Sequence, residues 1–274
     1  MRKSIQLSKL RLLVIGIALS FATIVGSSIA TSCTSSAFAS DGLKPGKAKA
    51  PSGIIYTLYP QGDLDVDWKV SRPVRTDKNI ILVIPAAFTT HDDKIDGAYI
   101  SDGVIGNPSV NKELGGAIIL QNGKAKLLST NKGAMLTKEF LADVAKSKGS
   151  LFQQFLVVHN GTAATFKDKG KYQRRAFVEF KKGTFGIVES NIDIPFSTFN
   201  DDLVWMGAKN ALYMDMGAWD EGWYRDAVIK KIGIIGNDRS LTYKQSNWMV
   251  YTKKPAADAA ASAKPAADAP AKKP

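Results

Sequence analysis

Residues 211–225 read ALYMDMGAWDEGWYR, and this stretch sets the interpretation of the whole chain. An apolar run ends at Met214 and leads directly into Asp215 and a loop that contains glycine. A strand that delivers its last side chain into such a loop is a common way to build a functional site, because the strand fixes the position and the loop surrounds the ligand. The alternative interpretation is a bent strand end with surface carboxylates and core tryptophans.

The apolar pattern around this stretch predicts a strand-rich domain. The β-branched run at residues 80–84 is typical of a buried strand, and residues 121–124, with Asn-Gly at their centre, predict a tight hairpin turn. Helices are expected at residues 137–147, where a threonine can cap the first turn, and from residue 197 or 198 to residue 206. We therefore predict a single α+β domain, a mixed β-sheet with a few packed helices. The other predicted strands are residues 54–59, 98–100, 116–120, 125–128, 152–158, 176–180, 185–189, 211–214, 228–235 and 248–251.

The first 39 residues have the composition of an export signal. Four basic residues precede an apolar run at residues 12–30, and an Ala-x-Ala motif at residues 37–39 supplies a cleavage site. We therefore expect an exported protein, periplasmic or secreted. Two alternatives remain: the apolar run is nearly long enough to persist as a membrane anchor, and residues 30–33 form a loose lipobox in which Cys33 would carry a lipid.

Charge and cysteine usage narrow the choice of partners. The net charge is +12, and +8 remains if the four basic residues of the signal are removed. A basic exported protein suggests association with anionic envelope polymers, such as glycans that carry phosphate or carboxylate. No zinc-finger spacing or RNA-binding aromatic motif is present, so nucleic acid is not an expected partner. Cys33 is the only cysteine, which excludes disulfides and thiolate zinc sites from a chain cleaved after Ala39.

Composition divides the chain into four segments. Residues 1–39 form the predicted signal peptide, and residues 40–52 form a linker rich in Lys, Pro, Gly and Ala. Residues 53–252 form the predicted folded domain. Residues 253–274 contain Lys-Pro-Ala-Ala-Asp-Ala twice, a composition that cannot bury a core and predicts a disordered, solvated spacer.

Five short motifs resemble, in order and spacing, the phosphodiester glycosidase family, the family of the lysosomal uncovering enzyme and of exported bacterial proteins. Four of them are PAAFT at 85–89, GAYISDG at 97–103, VHNG at 158–161 and QRRAF at 173–177, and the fifth is the strand that ends in Asp215. The resemblance runs from about residue 55 to about residue 250. It implies a hydrolase that cleaves a sugar-1-phosphodiester, or a related glycosidic bond, in an envelope polysaccharide.

The chain departs from the family pattern at two of these motifs. An alanine, Ala86 or Ala87, stands where the family has its first asparagine. The family loop Asp-Gly-Gly-Gly-Ser reads DMGAW at residues 215–219, so one glycine remains where several would let the backbone approach a phosphate or sugar. These departures favour a second hypothesis, a non-catalytic glycan-binding or envelope-organising protein on the same fold.

The resemblance and the strand ends together select the candidate site residues. We expect Asp215 to act as base or nucleophile at the anomeric carbon, with His159 or Glu221 handling the proton. Arg175 matches the family arginine and would hold a phosphate in bidentate fashion, although a structural salt bridge is an equal alternative. We expect His91 to line the same cleft. Four further residues are expected to contact the sugar or its phosphate: Asn160, Trp219, Trp223 and Asp220.

Metal or cofactor binding is only weakly indicated. An acidic group after the first motif offers oxygen ligands alone, which suit calcium better than zinc. A solvated acidic loop is the alternative, and no metal ligand is assigned. No phosphate-loop, dinucleotide or Gly-x-Ser-x-Gly signature is present, which argues against nucleotide hydrolysis and serine esterase chemistry. The acidic group comprises Asp92, Asp93, Asp96 and Asp102.

Overall fold

The computed structural model describes residues 41–254, and this part of the chain is mainly β-structure. It contains 17 strands and two α-helices, and the neighbouring strands of its three sheets all run antiparallel. The fold is therefore mainly β and antiparallel, whereas the sequence predicted an α+β fold on a mixed sheet. Residues 1–40 and 255–274, with the predicted signal peptide and most of the tail, lie outside the described range. Within residues 41–254 no helix is long and apolar enough to cross a membrane.

The first sheet has seven strands and carries Asp215 at one edge. Its strands are β1 (Gly46–Lys49), β2 (Ile55–Pro60), β10 (Leu156–His159), β11 (Thr162–Ala163), β12 (Arg175–Phe180), β13 (Phe185–Ser190) and β14 (Ala208–Tyr213). They lie in the order β1-β2-β13-β12-β14-β10-β11. The strand that leads into Asp215 is therefore flanked on both sides, by β12 and by β10.

Two five-stranded sheets complete the fold. The second contains β3 (Asp65–Lys69), β4 (Ile80–Pro85), β15 (Gly222–Arg225), β16 (Ile232–Ile235) and β17 (Trp248–Thr252), in the order β16-β15-β4-β17-β3. The third contains β5 (Tyr99–Ser101), β6 (Val104–Asn107), β7 (Gly116–Gln121), β8 (Lys124–Ser129) and β9 (Ser150–Gln154), in the order β6-β5-β9-β7-β8. The loop after β4 and the loop after β14 meet beside Asp215.

The two helices differ in how they begin. Helix α1 (Lys138–Lys146) starts as predicted, because the Thr137 hydroxyl accepts a hydrogen bond from the amide of Phe140. Helix α2 (Phe196–Trp205) follows Pro195 and has no side-chain cap, so the predicted cap at residue 197 or 198 is wrong. Its buried side chains, among them Phe199 and Leu203, pack against the apolar face of the first sheet.

One apolar core joins the three sheets. It contains Trp68 from the second sheet, Phe152 from the third, and Phe177 and Leu212 from the first, and all four are fully buried. Burying a large apolar side chain stabilises a fold by about 1.5–3 kcal/mol, so these contacts hold the sheets together. The loops at the sheet edges are consequently fixed relative to one another.

The segment expected to be a flexible linker, residues 40–52, is folded from Asp41 onwards. Leu43 is fully buried, its amide donates to the carbonyl of Arg225, and its carbonyl accepts from the amide of Ala227. Strand β1 then pairs with β2. The beginning of the described chain is thus attached to the hairpin formed by β15 and β16.

Several strand predictions need correction. The predicted strand at residues 152–158 divides at Phe155, where the chain passes from β9 in the third sheet to β10 in the first. The predicted strand at residues 228–235 contains only β16, because its first half belongs to a turn. Strands β1, β3, β6, β11 and β15 were not predicted. The charged residues of β3 and the carboxylates before β15 conceal the apolar positions of these two strands.

Candidate active site

Asp215 lies just beyond the end of β14 and is 4% exposed. Its amide donates to the carbonyl of Ala86 at 2.9 Å. Its two carboxylate oxygens accept hydrogen bonds from the amides of Thr89, at 3.1 Å, and Met216, at 2.9 Å. The loop after β4 is therefore attached to Asp215 through both its backbone and its side chain.

The surroundings of Asp215 favour proton transfer near neutral pH. Burial raises the pKa of Asp215 to about 7, although the amides of Thr89 and Met216 stabilise the ionised form. A carboxyl group with such a pKa is partly protonated at neutral pH, so it can donate a proton or accept one.

Arg175 lies next to this site but is committed to two carboxylates. Its guanidinium is fully buried and donates to Glu189 at 2.6 Å and to both oxygens of Asp220 at 2.9 and 2.7 Å. Burial alone would lower the pKa of Arg175, but Asp220 and Glu189 raise it above its ordinary value, so the group stays charged. Arg175 and Asp220 bind each other in a buried ion pair, so the groups that were predicted to contact a substrate are already occupied. This is the structural salt bridge that the sequence left open as the alternative for Arg175.

His159 and Asn160 do not join Asp215. Strand β10 is antiparallel to β14, with Val158 opposite Ala211, so the two strands end at opposite edges of the sheet. The amide of Asn160 donates to the side chain of Asn210, five positions before Asp215, which corresponds to about 16 Å along a strand. Both residues are exposed in a tight turn, and the structure does not bring this turn to Asp215.

Trp223 and Glu221 are also occupied elsewhere. Trp223 is 2% exposed and packs in the second sheet with Val83 and Trp248, so it offers no face to a sugar. Glu221 forms an ion pair with Arg72. Trp223 therefore lies in the core, and Glu221 would have to leave Arg72 before it could handle a proton.

Trp219 and His91 do come together beside the Asp215 loop. Their rings meet edge to face, with centroids 6.0 Å apart. The indole N–H of Trp219 is buried and has no hydrogen-bond partner among the described residues. This pair forms a second contact between the loops after β4 and β14. Of the two tryptophans predicted to bind a sugar, Trp219 is the one that stays partly accessible.

A groove of about 670 Å³ lies on the other side of Thr89. Ser246 lines it, and its hydroxyl is 2.9 Å from the hydroxyl of Thr89, whose amide holds Asp215. Gln245 contributes a buried side-chain oxygen that has no hydrogen-bond partner among the described residues, and Tyr243 is 70% exposed. The remaining wall carries Lys94, Lys244 and Asp93. An unpartnered acceptor, an aromatic face and two cations are features that suit a sugar bearing an anionic group.

Sequence reasoning missed four residues that organise these loops. Glu189 could have been found, because the hairpin predicted at residues 176–189 places it opposite Arg175. Thr89 stood in the first motif but without a role. Gln245 lies in an irregular segment that carries no periodic signal.

The side chain of Asn247 holds Ala87 in place. It accepts a hydrogen bond from the amide of Ala87 at 2.7 Å and donates one to the carbonyl of Ala87 at 2.9 Å. An asparagine from elsewhere in the chain therefore fixes the loop at the position where the family motif has its own asparagine.

The acidic group does not gather into a metal centre. Asp96 accepts two hydrogen bonds from Asn111, and Asp102 lies 3.6 Å from the ammonium of Lys69. Among residues 41–254, no three His, Cys, Asp or Glu side chains are placed to hold a metal ion. A calcium requirement remains an expectation from composition alone.

Comparison with known proteins relates the chain to a class of fold. No protein-family model matches it, and no curated protein sequence matches it. Among solved structures it is similar to the zebrafish N-acetylglucosamine-1-phosphodiester alpha-N-acetylglucosaminidase catalytic domain auto-inhibited by pro-peptide, with a TM-score of 0.51 and 10% identity over 78% of this chain and 82% of that one. A hypothetical protein from Synechocystis gives a TM-score of 0.48 and 10% identity over 77% of this chain and 62% of that one. The chain therefore shares the fold of a phosphodiester glycosidase catalytic domain.

Proposed function

We propose that the protein is a hydrolase that cleaves a sugar-1-phosphodiester or a related glycosidic bond. The observation that carries this proposal is Asp215, a buried carboxyl group with a pKa of about 7 at the end of a central strand. The fold shared with a glycosidase catalytic domain supports it. Hydrolysis of a glycosidic bond needs a group that protonates the leaving oxygen or deprotonates water, and Asp215 has the acidity for either role.

The groove beside Thr89 supplies the binding half of the proposal. Tyr243 would stack on the apolar face of a sugar ring, and the free oxygen of Gln245 would accept a hydrogen bond from a sugar hydroxyl. Lys94 and Lys244 would take over the contact with phosphate, since Arg175 is already paired. This assignment moves the anion-binding role from the buried Arg175 to the exposed Lys94 and to Lys244, which is partly exposed and lies 3.9 Å from Asp93.

The test is hydrolysis of a panel of chromogenic aryl-sugar phosphodiesters by the full chain, with and without added calcium. Asp215→Asn should abolish release, while Asp238→Asn, the same change on an exposed turn, should leave it intact. Circular dichroism of both variants must match the parent. If Asp215 is the acid, the rate should fall above about pH 7, and if it is the base, below that pH. Full activity in Asp215→Asn would exclude the proposal.

A second candidate is a glycan-binding protein that performs no hydrolysis. The specific observation in its favour is that Arg175 is bound to Asp220, while His159 and Asn160 do not converge on Asp215. The groove would then act alone. Under this reading Tyr243→Ala should abolish retention on an acidic envelope polysaccharide, while Asp215→Asn should bind as well as the parent.

We also propose that the chain is exported and meets its substrate among anionic envelope polymers. The apolar run at residues 12–30 and the Ala-x-Ala motif support this proposal. N-terminal sequencing of the protein from its native cell tests it. A chain that begins at Ser40 supports a cleaved signal, and one that begins at lipid-modified Cys33 supports a lipid anchor. An unprocessed Met1 on a cytoplasmic protein would contradict export.

A further inference from the structure

The turn between β15 and β16 holds two apolar side chains out into solvent. Val228 and Ile229 are 65% and 61% exposed. The turn that carries them is ordered, because the Asp226 carboxylate accepts the amides of Val228 at 2.7 Å and Ile229 at 3.0 Å. Neighbouring apolar side chains held outward by a fixed turn mark a contact surface more specifically than single exposed residues do.

Basic residues surround this pair. Lys230 and Lys231 follow it directly and are exposed. Lys253, near the end of the described chain, forms an ion pair of 2.7 Å with Asp41. That contact, together with the nearby Lys230, lowers the pKa of Asp41, so the three groups share one side of the molecule. Asp41 is paired with Lys253, and the Asp226 carboxylate accepts hydrogen bonds from backbone amides. The charges of Lys230 and Lys231 therefore make the surface around the apolar pair positive.

A strongly apolar segment lies close in sequence to this side of the domain. Asp41 is the first described residue, and Leu43 is hydrogen-bonded to Arg225 and Ala227, where β15 enters the turn. The apolar run of residues 12–30 ends eleven positions earlier, a separation that no chain can stretch beyond about 40 Å. Anchoring by that run or by a lipid on Cys33 would keep Asp41, which lies near Lys230, within this distance of a bilayer.

We propose that the β15–β16 tip docks on the surface of an anionic lipid bilayer. Val228 and Ile229 enter the headgroup region, and Lys230 and Lys231 contact lipid phosphates. Each lysine strengthens such a contact about fivefold. Tip and anchor together supply the two signals that stable membrane attachment requires.

A second hairpin provides a matched control. The turn between β12 and β13 also exposes a Lys-Lys pair, Lys181 and Lys182, but it carries Gly183 and Thr184 in place of apolar residues. In the full chain with Cys33→Ser, Val228→Cys or Thr184→Cys is labelled with an environment-sensitive fluorophore. The protein is then mixed with phosphatidylglycerol–phosphatidylcholine vesicles that contain a doxyl-lipid quencher, and flotation confirms that the protein is bound.

The proposal predicts a blue shift and quenching of the label at Val228 and neither at Thr184. Lys230→Gln with Lys231→Gln should weaken the contact about 25-fold, which would be read as loss of quenching, and pure phosphatidylcholine vesicles should have the same effect. An unquenched Val228 label on floated protein would overturn the proposal. Equal quenching at Thr184 would indicate general adsorption and overturn it as well. A shift caused only by an acidic polysaccharide would assign the tip to a glycan instead.

Discussion

The two ends of β14 carry similar sequence signals and have opposite properties. At one end Asp215 is buried, accepts two hydrogen bonds from amides and lies beside the buried ion pair of Arg175 with Asp220. Towards the other end, the side chain of Asn210 accepts a hydrogen bond from the amide of Asn160, which lies with His159 in an exposed turn. In an antiparallel sheet the ends of neighbouring strands alternate between edges, so polar residues that follow two strands are separated rather than gathered. Strand direction therefore decides which polar strand ends form a site.

The largest expected difference between the two ends comes from Arg175→Ala. The change leaves the buried carboxylates of Glu189 and Asp220 without their cation, which typically costs about 3–5 kcal/mol. Chemical denaturation should show a loss of this size. A loss below about 1 kcal/mol would mean that water reaches the carboxylates and that the Asp215 end is less buried than the structure shows.

The next effect is a pH dependence specific to Asp215. Its folded-state pKa of about 7 lies above the unfolded value of 3.8, so its stabilising effect is complete below about pH 4 and is lost as the pH rises through 7. Asp215→Asn lacks this titration. The free energy of unfolding of this variant, relative to that of the parent, should therefore rise by up to about 4 kcal/mol between pH 4 and pH 8. A constant difference across that range would show that Asp215 titrates as an ordinary surface acid.

A smaller effect is expected where the groove meets Asp215. Thr89→Val keeps the amide that holds Asp215 but removes the hydroxyl that contacts Ser246. The loss of one hydrogen bond should lower the free energy of unfolding by about 1 kcal/mol. Substrate affinity should fall more than the rate of the chemical step. Ser246→Ala provides the reciprocal variant, and equal effects of the two changes would localise them to this contact.

The smallest effect is expected at the opposite end of β14. His159→Ala should change the free energy of unfolding by no more than about 0.5 kcal/mol, because the side chain is exposed. Hydrolysis by this variant should equal that of the parent in the chromogenic assay. A strong loss of activity would place His159 back in the site and contradict the separation of the two ends.

Local patterns in the sequence were sufficient for much of the fold. The apolar run of β4, the Asn-Gly turn between β7 and β8 and the cap of α1 each depend on residues close in sequence. The contacts that were missed join distant residues, such as Arg175 with Asp220, 45 positions apart, and Asp215 with Thr89, 126 positions apart. Such pairs depend on strand direction and sheet order, which composition and periodicity do not encode. Asp215 could be selected as a strand end, whereas its partners could not.

The hydrogen bonds between Asn247 and Ala87 also set an order of events during folding. They close a loop of 160 positions, and a closure of that length is reached late because the chain must lose much conformational freedom first. A nascent chain that stops short of Asn247 has β14 and Asp215 but lacks the clamp on the loop that carries Thr89. In that intermediate Asp215 should remain hydrated and ordinarily acidic. The chemistry proposed for the protein would then begin only after nearly the whole domain has been synthesised.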